Sequence, residues 1–153
     1  MIMVLFGPPG CGKGTQAGII AKDIDIPHLS TGDMLRDAVK SKTETGLKAA
    51  SIMEEGKLVS DEIVINIIKD RICNSDCKNG FILDGFPRTV SQAKELDTML
   101  TTENMKVDLV VDFSVNDEAL ISRIEGRFSC GDCGEGYNDH TKLPIKEGIC
   151  DEC

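Results

Sequence analysis

A glycine-rich segment near the start of the chain has the residue types that bind a phosphate chain. It runs from Gly7 to Thr15 with the sequence GPPGCGKGT, after an apolar run and before helical spacing. Glycines let consecutive backbone N–H groups turn toward one anion, and a helix N-terminus adds partial positive charge. Lys13 would reach the β- and γ-phosphates, and Thr15 is the hydroxyl nearest the metal, because Gly14 stands where the general pattern has Ser or Thr. The segment predicts a P-loop, and its spacing disfavours a plain turn with a solvated lysine.

Asp84 follows an apolar run, Phe81 to Leu83, that is typical of a buried strand. A carboxylate at that point emerges at the C-terminal edge of a parallel sheet, where α/β proteins bind ligands. Because Mg²⁺ prefers oxygen ligands, we expect Asp84 to hold the ion through water. Asp33 either assists it or caps a helix, and both interpretations stay open.

Four cysteines near the end of the sequence have the spacing of a metal site. Two Cys-x2-Cys pairs, Cys130 with Cys133 and Cys150 with Cys153, are separated by 16 residues. This spacing predicts a closed, tetrahedral, structural zinc site. Two disulfides are the alternative, disfavoured because no secretory leader is recognisable. The intervening segment has few large apolar residues and cannot build its own core, so we expect the metal to supply about 10 kcal/mol of apparent binding energy.

These residues need a sheet and helices to position them. Short apolar runs alternate with amphipathic stretches, which predicts a parallel βαβ sheet. The predicted strands are Met1–Phe6, buried on both faces, Pro27–Leu29, Phe81–Leu83 and Val107–Phe113. The predicted helices start at Lys13, near Thr43 and at Ser91, and three more follow predicted caps at Ser30 or Thr31, at Ser60 and at Asp117. The run of helices between residues 30 and 75 predicts a small helical insert after the second strand.

Size and charge exclude several classes of protein. The 153 residues suffice for one ordinary domain, and the formal net charge of -9 argues against a nucleic-acid binder. No stretch approaches the roughly 20 apolar residues of a membrane span. The first residues have no basic signal-peptide region, so we expect a cytoplasmic protein without a membrane partner. His28 and His140 are too few and too scattered to predict a histidine-based site.

Four motifs together carry a resemblance to a known family. They are GPPGCGKGTQ from Gly7, STGDMLR from Ser30, GKLVSDE from Gly56 and LDGFPRT from Leu83. In this order and separation the chain strongly resembles adenylate kinase, a nucleoside-monophosphate kinase, in the form with a zinc-binding lid. The resemblance implies a P-loop NTPase-type α/β fold and transfer of a phosphoryl group from Mg-ATP to AMP, in adenine-nucleotide homeostasis. It also implies ATP, AMP, Mg²⁺ and structural Zn²⁺ as ligands, and a monomer.

The resemblance assigns an AMP site. Arg36 and Arg88 carry guanidinium forks suited to a phosphate, and the amide of Gln92 can pair with the edge of adenine. A solvated arginine is the alternative for Arg36, and a plain surface glutamine for Gln92. The implied AMP-binding residues are Thr31, Arg36, Met53, Lys57, Leu58, Val59, Gly85, Arg88 and Gln92.

The resemblance also assigns an ATP site. Arg123 and Arg127 lie four residues apart on one helix face, and in the family they contact the adenine ring and the phosphates. A structural salt bridge is the alternative for Arg123. The implied ATP-binding residues are Gly10, Cys11, Gly12, Lys13, Gly14, Thr15, Arg123, Arg127, Gly136 and Tyr137; the implied catalytic residues are Lys13, Arg88 and Arg127.

The same resemblance divides the chain into parts. It implies a core of residues 1–29 and 60–126, an AMP-binding subdomain of residues 30–59 and an incomplete lid of residues 127–153. Because the family continues beyond this point, we expect a truncated chain with impaired turnover. The alternatives are a UMP/CMP kinase, which typically has alanine and asparagine in place of Thr31 and Gln92, and a non-catalytic nucleotide-binding fragment.

Overall fold

The computed structural model describes residues 1–54 and 59–153, without the side chains of Glu44, Met53 and Glu54. The predicted alternation of strands and helices is confirmed, and two further short strands form a hairpin near the end. The strands are β1 (Ile2–Phe6), β2 (His28–Ser30), β3 (Phe81–Asp84), β4 (Leu109–Asp112), β5 (Arg127–Ser129) and β6 (Gly136–Asn138). The helices are α1 (Lys13–Asp23), α2 (Thr31–Lys40), α3 (Glu44–Glu54), α4 (Asp61–Ile72), α5 (Val90–Thr102) and α6 (Asp117–Glu125), and a 3-10 turn spans Ser75–Cys77.

The residues fall into two compact units. The first contains Met1–Phe6 and Lys13–Asp112, and the second contains Gly7–Gly12 and Phe113–Cys153. None of the helices in the described residues is long and apolar enough to cross a membrane.

The first unit is organised by a parallel four-stranded sheet in the order β2-β3-β1-β4. β1 is buried on both faces up to Leu5, as its continuous apolar run predicts. The main core combines side chains from the sheet with α4 and α5, since Ile68, Ile72, Leu96 and Leu100 are all at most 4% exposed. β4 is an edge strand, and its Leu109 and Val110 remain exposed.

Helix caps set the exact starts of three helices, and they agree only in part with the sequence predictions. Ser30 is the N-cap of α2, because its hydroxyl accepts a hydrogen bond from the Asp33 N–H at 3.4 Å. Thr89 caps α5 in the same way through the N–H of Gln92, so this helix begins one residue earlier than predicted. The predicted cap at Asp117 is wrong: Asn116 caps α6 by accepting from the Ala119 N–H at 2.8 Å.

The second unit contains α6 and the antiparallel hairpin β5–β6, in which Phe128 is paired with Tyr137. Beyond the hairpin, Leu143, Ile145 and Ile149 are exposed, whereas Tyr137 within β6 is buried, with 4% exposure. The expectation that residues 128–153 build little apolar core is therefore confirmed for this segment.

Candidate functional site

The glycine-rich segment forms a tight turn that leads into α1 at Lys13. Gly10 and Gly12 have φ values of 80° and 98°, in the left-handed region that favours glycine. At Gly10 an added Cβ would also lie 2.9 Å from a side-chain carbon of Ile124. The Cys11 N–H donates to the Pro8 carbonyl at 3.4 Å, and the Cys11 side chain is buried. The segment thus has the glycine turn followed by a helix N-terminus that phosphate binding requires.

Asp84 ends β3 at the C-terminal edge of the sheet, as the sequence predicts. An added Cβ at Gly14 would lie 3.5 Å from Asp84 Oδ2, so the carboxylate borders the first turn of α1. His28 Nε2 lies 3.4 Å from the same oxygen. The sequence did not identify His28, because its proximity follows from the pairing of β2 with β3 rather than from spacing.

Three predicted AMP-site residues meet just after β3. The Thr31 hydroxyl is 3.3 Å from both the Asp84 and the Gly85 carbonyl oxygens, and Thr31 is buried. Arg88 Nε donates to the Gly85 carbonyl at 2.7 Å. Gly85 has a φ of 83°, and an added Cβ would lie 2.7 Å from Thr31 Oγ1. A larger residue in place of Gly85 would therefore disrupt its contacts with Thr31 and Arg88.

Arg36 lies on the exposed surface of α2, where its guanidinium donates to the carboxylate of Asp33. Burial raises the pKa of Asp33, but the hydrogen bonds from Arg36 and Ser30 and the Arg36 charge outweigh it and lower the pKa below its ordinary value. Ser30 rather than Asp33 caps α2, so the cap interpretation of Asp33 is wrong. The Asp33 carboxylate is instead paired with the predicted phosphate-binding arginine.

Gln92 is buried, with 5% exposure, rather than a plain surface glutamine. Its Oε1 accepts from the Arg88 N–H at 2.6 Å, and its Nε2 donates to Asp61 Oδ1 at 2.6 Å. Thr89 Oγ1 also donates to Asp61, at 3.4 Å. Asp61 was not predicted as part of this site, because it belongs to another helix. Its position in the first turn of α4 indicated only a favourable interaction with the helix dipole.

The rest of the predicted AMP site is only partly described. Val59 is half-buried, two residues before α4. Lys57, Leu58 and the side chain of Met53 lie outside the described residues.

In the second unit, Arg123 lies in the last turn of α6, but Arg127 begins β5, so the prediction that the two arginines share one helix face is wrong. Both side chains are exposed, and Arg123 makes no salt bridge with any described residue. The backbone around them is restrained by Asn138, a buried side chain that the sequence analysis missed. Asn138 Nδ2 donates to the Arg123 carbonyl at 2.9 Å, and its Oδ1 accepts from the N–H groups of His140 and Thr141. A single amide therefore joins the end of α6 to the hairpin.

The four paired cysteines converge as the sequence predicts. The sulfur atoms of Cys130, Cys133, Cys150 and Cys153 all lie within 4.8 Å of one another. The closest pairs, Cys130 with Cys153 and Cys133 with Cys150, are 3.6 Å and 3.5 Å apart, too long for a disulfide. A zinc ion with Zn–S bonds of about 2.3 Å places its ligands roughly 3.8 Å apart. The cluster is therefore compatible with a tetrahedral metal ion.

Tyr137 supports this cluster from the hairpin. Its hydroxyl donates to Cys150 Sγ at 3.3 Å and accepts from the Asp151 N–H at 2.7 Å. Its ring stacks on Phe128 with a centroid distance of 5.5 Å, and Lys142 Nζ lies 5.3 Å from the ring centroid. The hydrogen bond from Tyr137 lowers the pKa of the Cys150 thiol to about 6. At Cys150, this hydrogen bond favours the thiolate form that binds metals.

Comparison with known proteins agrees with this geometry. Residues 5–149 match the family model described as "Adenylate kinase". The chain is 53% identical to an adenylate kinase of Rhizobium etli and 54% identical to one of Magnetococcus marinus. Each alignment covers the whole of this chain and 71% or 72% of the relative. An adenylate kinase of Caldicellulosiruptor bescii is 51% identical, with 71% of its length covered. The chain therefore belongs to the adenylate kinase family of nucleoside-monophosphate phosphotransferases.

Proposed function

We propose that this chain transfers the terminal phosphoryl group of Mg-ATP to AMP, reversibly, to give two molecules of ADP. The observation that carries this proposal is the clustering of Thr31, Gly85, Arg88 and Gln92 immediately after Asp84. This cluster supports an AMP pocket, because it lies at the C-terminal edge of the sheet, where parallel α/β proteins bind ligands. The family resemblance adds a cytoplasmic, monomeric enzyme of adenine-nucleotide homeostasis.

The AMP site would divide between phosphate and base. Arg36 and Arg88 would hold the phosphate through charge-assisted hydrogen bonds. After its two internal hydrogen bonds the Gln92 amide keeps one N–H and one oxygen lone pair, which suits the adenine edge. The remaining lining would come from Thr31, Met53, Lys57, Leu58, Val59 and Gly85.

The ATP phosphates would be held by the backbone N–H groups of residues 10–15 and by Lys13. Arg123 and Arg127 would contact adenine and the phosphates, with Gly136 and Tyr137 at the border of the site. The donors suit Mg²⁺, because Asp84 offers carboxylate oxygens and Thr15 a hydroxyl. When bound there, Mg²⁺ would supply positive charge that neutralises the phosphate oxygens.

The transfer needs no general base from the protein. The acceptor is a phosphate oxygen of AMP that is already ionised near neutral pH. The protein therefore aligns the two phosphates and neutralises charge. Lys13, Arg88 and Arg127 would surround the transferring group, while Arg36 would hold the acceptor.

We propose three functional parts: a core of residues 1–29 and 60–126, an AMP-binding subdomain of residues 30–59 and a lid of residues 127–153. The four-cysteine cluster would hold a structural zinc ion in the lid, because four mutually close thiolates form a closed tetrahedral set. Zinc would then fix the two Cys-x2-Cys turns in one arrangement.

Turnover with AMP, UMP and CMP, measured side by side with Mg-ATP, tests the choice of acceptor. We expect AMP to be preferred by at least about a hundredfold in kcat/KM, because a buried amide left unpaired by a wrong base is strongly unfavourable. Thr31 and Gln92 both favour AMP over a pyrimidine nucleotide. A preference for UMP or CMP would contradict the proposal.

A further inference from the structure

Asp61 is the first residue of α4, and its carboxylate contacts the start of α5. Gln92 Nε2 donates to Asp61 Oδ1 at 2.6 Å, and Thr89 Oγ1 donates to Asp61 Oδ2 at 3.4 Å. These partners lie 31 and 28 positions further along the chain. One carboxylate therefore connects two helices at the proposed AMP site.

The hydrogen bonds of Gln92 fix the orientation of its amide. Its oxygen accepts from the Arg88 backbone N–H at 2.6 Å, while its nitrogen donates to Asp61. A backbone N–H can only donate, and a carboxylate can only accept. Rotating the amide by half a turn would place oxygen against carboxylate and nitrogen against N–H, losing both hydrogen bonds. Since Gln92 is only 5% exposed, solvent can do little to replace them.

The fixed amide distinguishes two kinds of purine base. Adenine presents an amino group, a donor, at carbon 6, whereas hypoxanthine presents an oxo group, an acceptor, at the same position. An amide oxygen held toward the base can accept from the amino group but faces the oxo group as a second acceptor. An amide free to rotate would accommodate both bases.

We propose that Asp61 is a positioning residue that holds the Gln92 amide in the orientation selecting a 6-amino purine monophosphate over a 6-oxo purine monophosphate. The inference rests on the proposed function, in which Gln92 contacts the base of AMP. Asp61 does not touch the nucleotide and acts through Gln92.

Binding of AMP, IMP and ATP to the wild type, Asp61→Ala and Asp61→Asn, measured by calorimetry, tests the inference. For Asp61→Ala we expect the ratio of AMP to IMP affinity to fall about tenfold, because the freed amide binds AMP less well and IMP better, while ATP affinity stays within roughly twofold. Asp61→Asn keeps an acceptor and is expected to restore most of the preference for AMP.

Glu62→Ala is the matched control, because Glu62 is also an acidic residue in the first turn of α4 but is not part of this hydrogen-bond network. It removes the same favourable charge from the helix N-terminus and should leave the ratio of AMP to IMP affinity unchanged. Equal effects of Glu62→Ala and Asp61→Ala would overturn the inference. Asp61→Ser, which is too short to reach Gln92, replaces Asp61→Ala if that variant does not fold.

A double-mutant cycle with Gln92→Leu separates the base contact from the positioning role. If Asp61 acts through Gln92, the double variant binds AMP no more weakly than Gln92→Leu alone, and additive losses would overturn the positioning role. If Gln92→Leu leaves AMP affinity unchanged, the proposed base contact and the inference both fail. If Gln92→Leu weakens AMP binding but Asp61→Ala does not, only the positioning role fails.

Discussion

At the scale of single residues, the side chains proposed to bind AMP are restrained by hydrogen bonds within the protein. Arg88 is held by the Gly85 carbonyl, Gln92 by Asp61, and Arg36 by Asp33. Such contacts reduce the conformational entropy lost on binding. The Arg36–Asp33 pair differs from the others, because the Asp33 carboxylate accepts from the guanidinium that would donate to the AMP phosphate. The carboxylate and the phosphate would therefore compete for Arg36.

Replacing Asp33 with asparagine should therefore strengthen AMP binding. Both side chains of the pair are more than half exposed, so the gain should be small, a factor of about two to five in the dissociation constant. Calorimetric titration with AMP in the absence of Mg²⁺ measures it without any effect of Asp33 on the metal. Asp37→Asn is the control, since it removes the same charge from α2. An equal gain in Asp37→Asn would assign the effect to net charge and contradict the competition between Asp33 and phosphate.

At the scale of elements, periodicity predicted the four strands of the parallel sheet and the six α-helices of the described residues, because each has a local apolar pattern. The 3-10 turn Ser75–Cys77 and the two hairpin strands were not predicted. Boundaries differ by one or two residues, at the ends of all four strands and, for α5, where the cap Thr89 sets the start of the helix. The four-cysteine cluster was equally predictable, since its ligands lie in two short motifs.

Contacts between distant elements could not be predicted from local patterns. Asp61 meets Gln92, and His28 meets Asp84, only because α4 packs near α5 and β2 pairs with β3. Asn138 joins the hairpin to α6 across 15 positions of sequence. Each is a polar residue whose own neighbourhood in the sequence carries no sign of its partner.

The hairpin element should depend on a metal ion. We expect one zinc per chain by elemental analysis, and much less in Cys133→Ser, because three thiolates bind far more weakly than four. Removal of the metal should lower the melting temperature of the wild type. Cys73→Ser is the control, since Cys73 is exposed and lies outside the cluster. A metal-free wild type with unchanged melting would contradict the zinc assignment.

At the scale of the whole molecule, the residues named in the proposed function occur in both compact units of the chain. The first contains Lys13, Asp84 and the AMP-site residues, and the second contains Gly10–Gly12, Arg123 and Arg127. In-line transfer requires that one chain hold both nucleotides. Among these residues, Lys13 gives the most direct test of phosphate binding, since it begins α1 directly after the glycine turn.

The most direct measurement compares ADP formation from Mg-ATP and AMP, together with ATP affinity, in the wild type and in Lys13→Met. Methionine preserves much of the length of the side chain and removes its charge. We predict that the variant keeps its melting temperature, loses ATP affinity and forms ADP at least about a hundredfold more slowly, as expected when a phosphate-binding charge is removed. A folded Lys13→Met variant with unchanged ATP affinity and unchanged transfer would contradict the proposed phosphoryl transfer at this site.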